Sequence, residues 1–357
     1  MKVYRYIQNY HVEILNDTLT TINGIKHKHS AKISFFDINN NLIERKEYGV
    51  VDVKSLYQKI NDKIPIDVSN CLVRGFSLSE YRSEFNLNQN EKIELIDFCA
   101  NDALFESEKV VDFSLAKFTG TKADFTNTHF GSGNLSFLKA EFGNFPVSFK
   151  ATSYSEGNNI FQYAKFNSGK VTFDNATFEN GNLSFINTYF GDGNVTFKNV
   201  HFGSGDVSFS FATFKKGSVI FDKSIFNGDE INFSKVDFGN GKVDFRRVRF
   251  GDGEINFEEI NMAEGNRLVF RRAEFGSSKV SFREALLTNC KLDFEEATFN
   301  NARLDFYKLS ANQISLNHCL LNCYIDLRID LCEVIDLSQS IVQNIIDLNP
   351  GLTNMEI

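Results

Sequence analysis

Short glycine-rich segments recur along the chain and are candidates for binding a phosphate or a calcium ion. Neither a GxxxxGK(S/T) loop nor a strand–GxGxxG–helix context occurs in the sequence, which argues against a phosphate loop. Calcium-binding repeats need a period of nine and an Asp at a fixed offset, as in Gly191-Asp192-Gly193. Gly203-Ser204-Gly205 and Lys215-Lys216-Gly217 lack that Asp. We therefore expect structural corners, with no cofactor and no calcium.

Histidines and cysteines provide two weak candidates for a metal site. His318, Cys319, Cys323 and Cys332 cluster near the C-terminus, but they form no CxxC pair, and Cys319 falls in an inward position. His27 and His29 share one face of a predicted strand, and no third ligand is evident. We expect buried, reduced cysteines and no metal. Six scattered cysteines also argue against a secreted disulfide scaffold, so we expect a cytoplasmic protein.

Carboxylates are frequent, but their pattern does not indicate catalysis. We expect a solvated ladder of outward-facing acids at Asp112, Asp124, Asp244, Asp293 and Asp305. No nucleophile–base–acid set accompanies them, and a convex, Phe-filled rod offers no evident cleft. The sequence therefore predicts no catalytic residues and no enzyme activity.

The overall charge argues against direct nucleic-acid binding. The 357 residues have a net charge of −8. Residues 1–93 contribute +2 (13 Lys+Arg, 11 Asp+Glu), and the remainder contributes −10 (25 and 35). Nucleic-acid binders gain most of their affinity by neutralising phosphates, which an acidic chain does not favour. No run of apolar residues is long enough for a membrane span, and polar residues interrupt Met1 to Ile14, so we expect neither membrane insertion nor a signal peptide.

A twelve-residue repeat dominates the chain from Val111 to Phe306. Phe recurs at alternating spacings of five and seven, and 34 of the 38 Phe lie between Phe98 and Phe306. A helix would scatter these rings around its surface, whereas a solenoid returns the same positions to its interior on every coil. The glycines of FENGN and FGDGN are expected to have positive φ. Phe145 lies outside the alternation and is expected to tolerate truncation. The predicted structural core consists of Phe173, Phe178, Phe185, Phe190, Phe197, Phe202, Phe209, Phe214, Phe221 and Phe226.

Each coil is predicted to contain 24 residues and four Phe. A 12-residue coil would have too thin an interior for two bulky rings. Charges alternate at a spacing of 24 at the positions Lys150, Asp174, Lys198, Asp222 and Arg246. Ten to eleven coils would form a rod of about 50 Å at the usual strand spacing of about 4.8 Å. The segments Tyr154–Phe161 and Met262–Phe270 are expected to break the register as bulges or small loops.

The repeat resembles that of the pentapeptide-repeat proteins over about residues 94–348. Ala176-Thr177-Phe178 and Ala212-Thr213-Phe214 match the small–any–Leu/Phe pattern of that family. The seven-residue units depart from it, whereas Ile325-Asp326-Leu327, Ile335-Asp336-Leu337 and Ile346-Asp347-Leu348 return to its spacing. The resemblance implies a mainly β fold, a right-handed four-sided parallel β-helix, over residues 93–348. Residues 349–357 are then a C-terminal tail.

Residues 1–92 are predicted to form a small α+β domain that either caps the solenoid or binds a partner. Strands are expected at Lys2–Ile7, Thr18–Ile25, Ala31–Phe36 and Leu42–Val51, with a hairpin turn at 39–41. Asp52 is predicted to cap one helix, and Ser77 with Glu80 to open a second as a capping box.

We expect a non-catalytic scaffold that binds a protein partner whose identity the sequence does not indicate. The resemblance also implies an alternative, a DNA mimic that modulates a type II topoisomerase (gyrase), provided that the acids segregate to one face. A self-assembling structural protein is a third possibility. A homodimer through the C-terminal end is expected because the last coils are strongly apolar. The residues expected at that end are Ile341, Val342, Ile345, Ile346 and Leu348.

Overall fold

The computed structural model describes residues 7–131, 133–263 and 265–348. The chain is 44% strand and 5% helix and forms a parallel β-solenoid of about 12 turns. The mainly β solenoid predicted from the Phe repeat is therefore confirmed. Neither helix in the described part of the chain is long and apolar enough to cross a membrane.

The first strands and both helices precede the regular coils. They are β1 (Asn9–Leu15), β2 (Leu19–Thr20), β3 (Lys26–His27), β4 (Ser30–Phe36), β5 (Leu42–Val51), α1 (Val53–Asn61), β6 (Cys71–Arg74) and α2 (Leu78–Glu84). The strand predicted at Leu42–Val51 and both helix caps are confirmed, since Asp52 accepts from Lys54 N and Ser77 from Glu80 N. A short hairpin, β2–β3, replaces the single strand expected at Thr18–Ile25. The sequence did not indicate β1, and residues 2–6 of the first predicted strand lie outside the described residues.

Most strands of the coils contain only two or three residues. They are β7 (Ile93–Cys99), β8 (Leu104–Glu106), β9 (Val110–Asp112), β10 (Ala116–Asp124), β11 (His129–Phe130), β12 (Asn134–Ser136), β13 (Glu141–Phe142), β14 (Val147–Ser148), β15 (Ser153–Tyr154), β16 (Asn159–Ile160), β17 (Lys165–Phe166), β18 (Val171–Thr172), β19 (Thr177–Phe178), β20 (Leu183–Ser184), β21 (Val195–Thr196), β22 (His201–Phe202), β23 (Val207–Ser208), β24 (Val219–Ile220), β25 (Ile225–Phe226), β26 (Glu230–Asn232), β27 (Val243–Asp244), β28 (Arg249–Phe250), β29 (Glu254–Asn256), β30 (Arg267–Val269), β31 (Glu274–Phe275), β32 (Lys279–Ser281), β33 (Leu286–Asp293), β34 (Thr298–Asp305), β35 (Ser310–Ser315), β36 (Leu320–Leu327), β37 (Val334–Asp336), β38 (Ile341–Val342) and β39 (Ile346–Leu348).

Strand pairing confirms a four-sided coil of 24 residues. Side 1 pairs β18 with β21, side 2 pairs β19 with β22, and side 3 pairs β20 with β23, each in parallel at an offset of 24. Side 4 is formed at this level by the parallel bridges of Tyr189 to Lys165 and to Thr213, at the same offset. Successive coils therefore place equivalent residues directly over one another.

The coil length departs from 24 residues at several places along the solenoid, two of which bear on the sequence prediction. Val243 pairs with Leu268, an offset of 25, so the extra residue expected within Met262–Phe270 is present. Ile325 pairs with Ile346, an offset of 21, where the sequence returns to shorter units. The break expected at Tyr154–Phe161 is wrong. Ser153 pairs with Thr177 and Asn159 with Leu183 at the regular offset, because Tyr154 occupies a Phe position in the stack.

The interior contains columns of stacked aromatic rings. Phe197 lies between Phe173 and Phe221, with ring centroids at 4.9 and 4.7 Å and nearly parallel planes. The Phe209 ring of the opposite side meets Phe197 edge-on at 5.5 Å. All ten Phe of the predicted core are buried. Stacking along the rod and edge-to-face contact across it are both favourable aromatic arrangements.

Positive φ occurs mainly in the corners that lack glycine. The prediction that the corner glycines are needed for positive φ is therefore wrong for most of them. Asn175, Asn187 and Asn199 have φ of 62°, 56° and 53°, two residues after a core Phe. Gly181 lies outside the left-handed region, but a Cβ there would come within 1.8 Å of the carbonyl oxygen of Gly157 on the preceding coil. The recurrent glycines are therefore required by the close approach of successive coils.

The helices cover the N-terminal end of the aromatic core. Leu56, Tyr57 and Ile60 of α1 and Tyr81 of α2 belong to the same buried cluster as the first Phe rings. Parallel pairing also extends back before residue 93, because β6 pairs with both β5 and β8. The helices thus shield apolar surface that the first coil would otherwise expose.

The antiparallel strands β1, β4 and β5 pack on the outside of side 2. A second buried cluster joins Ile33, Phe35 and Tyr48 to Leu72 and Leu104, whose side chains point away from the solenoid interior. Farther along side 2, His129 is buried with its ring 5.6 Å from that of Phe35. The first 92 residues therefore contact both the end and one flank of the solenoid.

We predict that Phe197→Ala lowers the free energy of unfolding by about 3–5 kcal/mol, the usual cost of truncating a buried aromatic side chain. Phe145 is unsuitable as the tolerant control that the sequence suggested, because it is only 7% exposed and contacts Gly143. Phe211, which is 50% exposed, is the matched control. Urea unfolding measures both variants, and equal losses for Phe197→Ala and Phe211→Ala would contradict the stacked core.

Candidate protein-binding edge

Seven carboxylates converge on the corner between side 2 and side 3. The corner segments are 155–158, 179–182, 203–206, 227–230 and 251–254, and they contain no Lys or Arg. We call this surface the acidic edge. It consists of Glu156, Glu179, Asp206, Asp229, Glu230, Asp252 and Glu254. Because the five segments lie on successive coils, the carboxylates extend over roughly 19 Å along the rod.

A ladder of hydrogen bonds fixes the backbone of the acidic edge. Asn158 Oδ1 accepts from Asn182 N at 3.1 Å, and Asn182 Oδ1 accepts from Asp206 N at 2.9 Å. Asp206 Oδ1 continues the ladder by accepting from Glu230 N at 3.0 Å. An Asp can therefore replace an Asn without breaking the ladder, and the replacement adds a negative charge.

Like charges are stacked directly in this edge. Glu230 pairs with Glu254 in the parallel register, so two carboxylates occupy adjacent coils. Lys279 ends the acidic edge on the next coil, where its Nζ lies 3.2 Å from Glu254 Oε1. Like charges that face each other across neighbouring strands destabilise a sheet. The stacked carboxylates therefore concentrate negative charge on this edge.

Glu179 lies where the N-terminal strands border the acidic edge. Gln8 Nε2 donates to Glu179 Oε2 at 3.4 Å. Burial, together with the nearby charge of Glu156, raises the pKa of Glu179 to about 7. Glu179 thus takes up a proton near neutral pH.

The diagonally opposite corner, between side 4 and side 1, is rich in lysine. Lys170, Lys215, Lys216 and Lys242 are exposed there. Part of this charge is compensated, because Lys216 Nζ lies 3.6 Å from Asp192 Oδ2 and Lys242 Nζ lies 3.1 Å from Asp244 Oδ2. The Phe period of 12 superimposes the two corners, so their opposite charges become evident only when corner positions are compared at a spacing of 24.

The acids expected to form a solvated ladder are mostly buried, which corrects that prediction. Asp112, Asp244, Asp293 and Asp305 are at most 4% exposed, and only Asp124 is half-buried. Although burial opposes ionisation, hydrogen bonds from Arg246 and Lys242 keep the pKa of Asp244 below its usual range. Asp222, expected to face Arg246, forms its ion pair with Arg247 instead. These acids bind basic side chains and backbone N–H groups of the solenoid.

The cysteines and histidines do not assemble a metal site in the described ranges. No group of three or more His, Cys, Asp or Glu side chains there could hold a metal ion. All six cysteines are buried, and burial raises the pKa of Cys319 and Cys323 to about 12. His27 is half-buried with Nε2 3.5 Å from Cys71 Sγ, whereas His29 is exposed.

Apolar side chains are exposed on the last coil. Ile341, Val342, Ile345 and Leu348 are 41–64% exposed, and Ile346 packs partly against the core. Pairing of two such ends in a homodimer stays a prediction. The tail at residues 349–357 lies outside the described residues.

No family model matches the chain, and no curated protein matches it with a significant score.

We predict that Glu179→Gln makes the protein more stable than wild type at pH 8 but not at pH 4. The carboxyl of Glu179 has its pKa raised on folding from about 4.5 to about 7, so the protonated form favours the folded state. Its stabilising contribution is present below pH 4.5 and is lost as the pH rises towards 7. Urea midpoints at the two pH values measure the difference. The control is Glu108→Gln at an exposed position. If the stability difference between Glu179→Gln and wild type were the same at both pH values, the raised pKa of Glu179 would be contradicted.

Proposed function

We propose that the protein is a non-catalytic scaffold that binds a cationic surface of a partner protein along the acidic edge. The observation that carries this proposal is the segregation of seven carboxylates to one corner of the solenoid. The aromatic core explains how the edge is held rigid, and the hydrogen-bond ladder explains how its backbone is positioned. Complementary charge of this kind directs association and selects partners.

Rigidity supports a scaffold role. A partner that binds a preformed surface does not have to order flexible loops, which would reduce its affinity. The carboxylates of the acidic edge are attached to coils whose backbone N–H groups bond to the neighbouring coils, as in Phe185 N to Ser208 O at 2.7 Å. Charge spacing along the edge is therefore set by the solenoid.

A DNA mimic that acts on a type II topoisomerase is the alternative, and the charge segregation favours it specifically. Seven carboxylates over roughly 19 Å correspond to one per about 3 Å, close to the 3.4 Å per phosphate of one DNA strand. The resemblance to pentapeptide-repeat proteins, some of which inhibit or protect gyrase, supports the same alternative. Such mimicry would be confined to five coils, because Lys279 and Arg303 occupy the next two corners.

We predict that Asp229→Asn/Glu230→Gln loses the partner. The full chain is immobilised, and proteins retained from a cell extract are quantified by mass spectrometry. The matched control, Asp330→Asn/Glu333→Gln, removes the same charge from exposed positions outside the acidic edge. We expect at least a tenfold loss of the retained protein for the edge variant and no loss for the control. Binding should also weaken between 0.15 and 0.5 M salt, because exposed charges are screened.

Equal retention of the partner by both variants would contradict binding at the acidic edge. Turnover of a substrate without any retained partner would contradict the role as a non-catalytic scaffold. A supercoiling assay with purified topoisomerase tests the alternative. Inhibition by wild type and not by the edge variant supports mimicry, whereas unchanged supercoiling at micromolar protein contradicts it.

A further inference from the structure

A cleft opens in the N-terminal part of the chain, away from the acidic edge. It has a volume of about 430 Å³ and lies between the end of β5, the β3 segment and α1. We call it the N-terminal cleft. Clefts of this size accommodate small organic ligands. The basic residues that line it are Lys26, His27, Lys28, His29 and Lys59.

The lysines of the N-terminal cleft have no carboxylate partner. Within the residues that the structure describes, no Asp or Glu oxygen lies within 4.0 Å of the Nζ atoms of Lys26, Lys28 or Lys59. Several lysines and arginines of the solenoid are placed differently. Lys216, Lys242 and Arg328, for example, form ion pairs there. Three unpaired cations on one concave surface favour an anionic ligand.

The two acids that line the same cleft are already engaged. Asp52 Oδ1 accepts from Lys54 N at 3.2 Å as the cap of α1. Asp67 Oδ1 accepts from Ser69 N at 2.9 Å. Each carboxylate accepts from a backbone N–H group of its own segment and forms no ion pair with the three lysines, so the lining keeps a formal charge of +1 from three Lys and two Asp.

The histidine wall of the cleft is fitted closely to the strand behind it. The His27 ring lies on Gly49, where a Cβ would come within 2.3 Å of His27 Cδ2. Burial lowers the pKa of His27, and the charge of Lys59 acts in the same direction. The ring is therefore neutral at pH 7, and the positive charge of the cleft comes from the lysines.

We propose that the N-terminal cleft binds a small organic phosphate. Lys26, Lys28 and Lys59 hold the phosphate, and the apolar part of the ligand lies against Val50 and Leu56, which also line the cleft. Lysine is well suited to phosphate because its ammonium group acts as a mobile point charge with three donors. The apolar lining favours an organic phosphate over the inorganic ion. This site is independent of partner binding by the acidic edge.

Isothermal titration calorimetry of the full chain tests the proposal with adenosine 5′-monophosphate, pyrophosphate and adenosine as probes. We expect both phosphates to bind, the monophosphate more tightly, and adenosine to show no binding. Lys28→Ala/Lys59→Ala should weaken binding of the monophosphate at least tenfold. The control, Lys54→Ala/Lys170→Ala, removes two exposed lysines that do not line the cleft and should bind as wild type does.

Three results would overturn the proposal. The first is that neither phosphate binds at a concentration of 10 mM. The second is that Lys28→Ala/Lys59→Ala binds the monophosphate with unchanged affinity. The third is that adenosine binds as tightly as its monophosphate. Thermal unfolding checks that the variants are folded. If the double variant does not fold, Lys26→Ala at its exposed position replaces it and should weaken binding at least threefold, and an unchanged affinity would again overturn the proposal.

Discussion

The stacking of each coil on the next at the spacing of hydrogen-bonded strands is the constraint on which the rest of the structure depends. Phe197 N donates to Ile220 O at 2.7 Å, and the Phe197 and Phe221 rings lie 4.7 Å apart. The ring separation is close to the roughly 4.7–4.9 Å between hydrogen-bonded strands, so aromatic stacking and strand pairing repeat at the same spacing along the rod. One type of side chain, Phe, can therefore fill the interior of every coil without disturbing the hydrogen bonds between coils.

The same spacing determines which residues the corners accept. Where the chain of one coil passes directly over the previous one, only glycine leaves room for the carbonyl oxygen below, as at Gly181 and Gly205. Where a backbone N–H needs an acceptor, an Asn or Asp of the preceding coil supplies it. Since Asn and Asp serve equally well in this position, the charge of an edge can vary without a change in fold. The acidic edge and the lysine-rich corner opposite it illustrate that freedom.

The sequence was sufficient to predict the coil and its core but not the environment of its polar residues. The Phe spacing predicted four sides and 24 residues because bulky apolar side chains must face the interior. Asp244 was placed wrongly because its burial depends on Lys242 and Arg246 closing over it, which spacing does not reveal. Phe145 was misplaced because a corner outside the repeat can still fold its ring onto a neighbouring glycine. The acidic edge was missed because opposite corners share one sequence pattern.

Disulfide cross-linking tests the 24-residue coil most directly. Thr172 and Thr196 are paired on side 1, with their Oγ1 atoms 3.0 Å apart, whereas Ser184 lies on the opposite side of the coil. Paired parallel strands fall within the Cα separation that a disulfide requires. The six native cysteines are buried and do not compete. A 24-residue coil predicts an intramolecular disulfide in Thr172→Cys/Thr196→Cys and none in Thr172→Cys/Ser184→Cys. A disulfide in the second variant but not in the first would indicate a 12-residue coil and contradict the stacking described here.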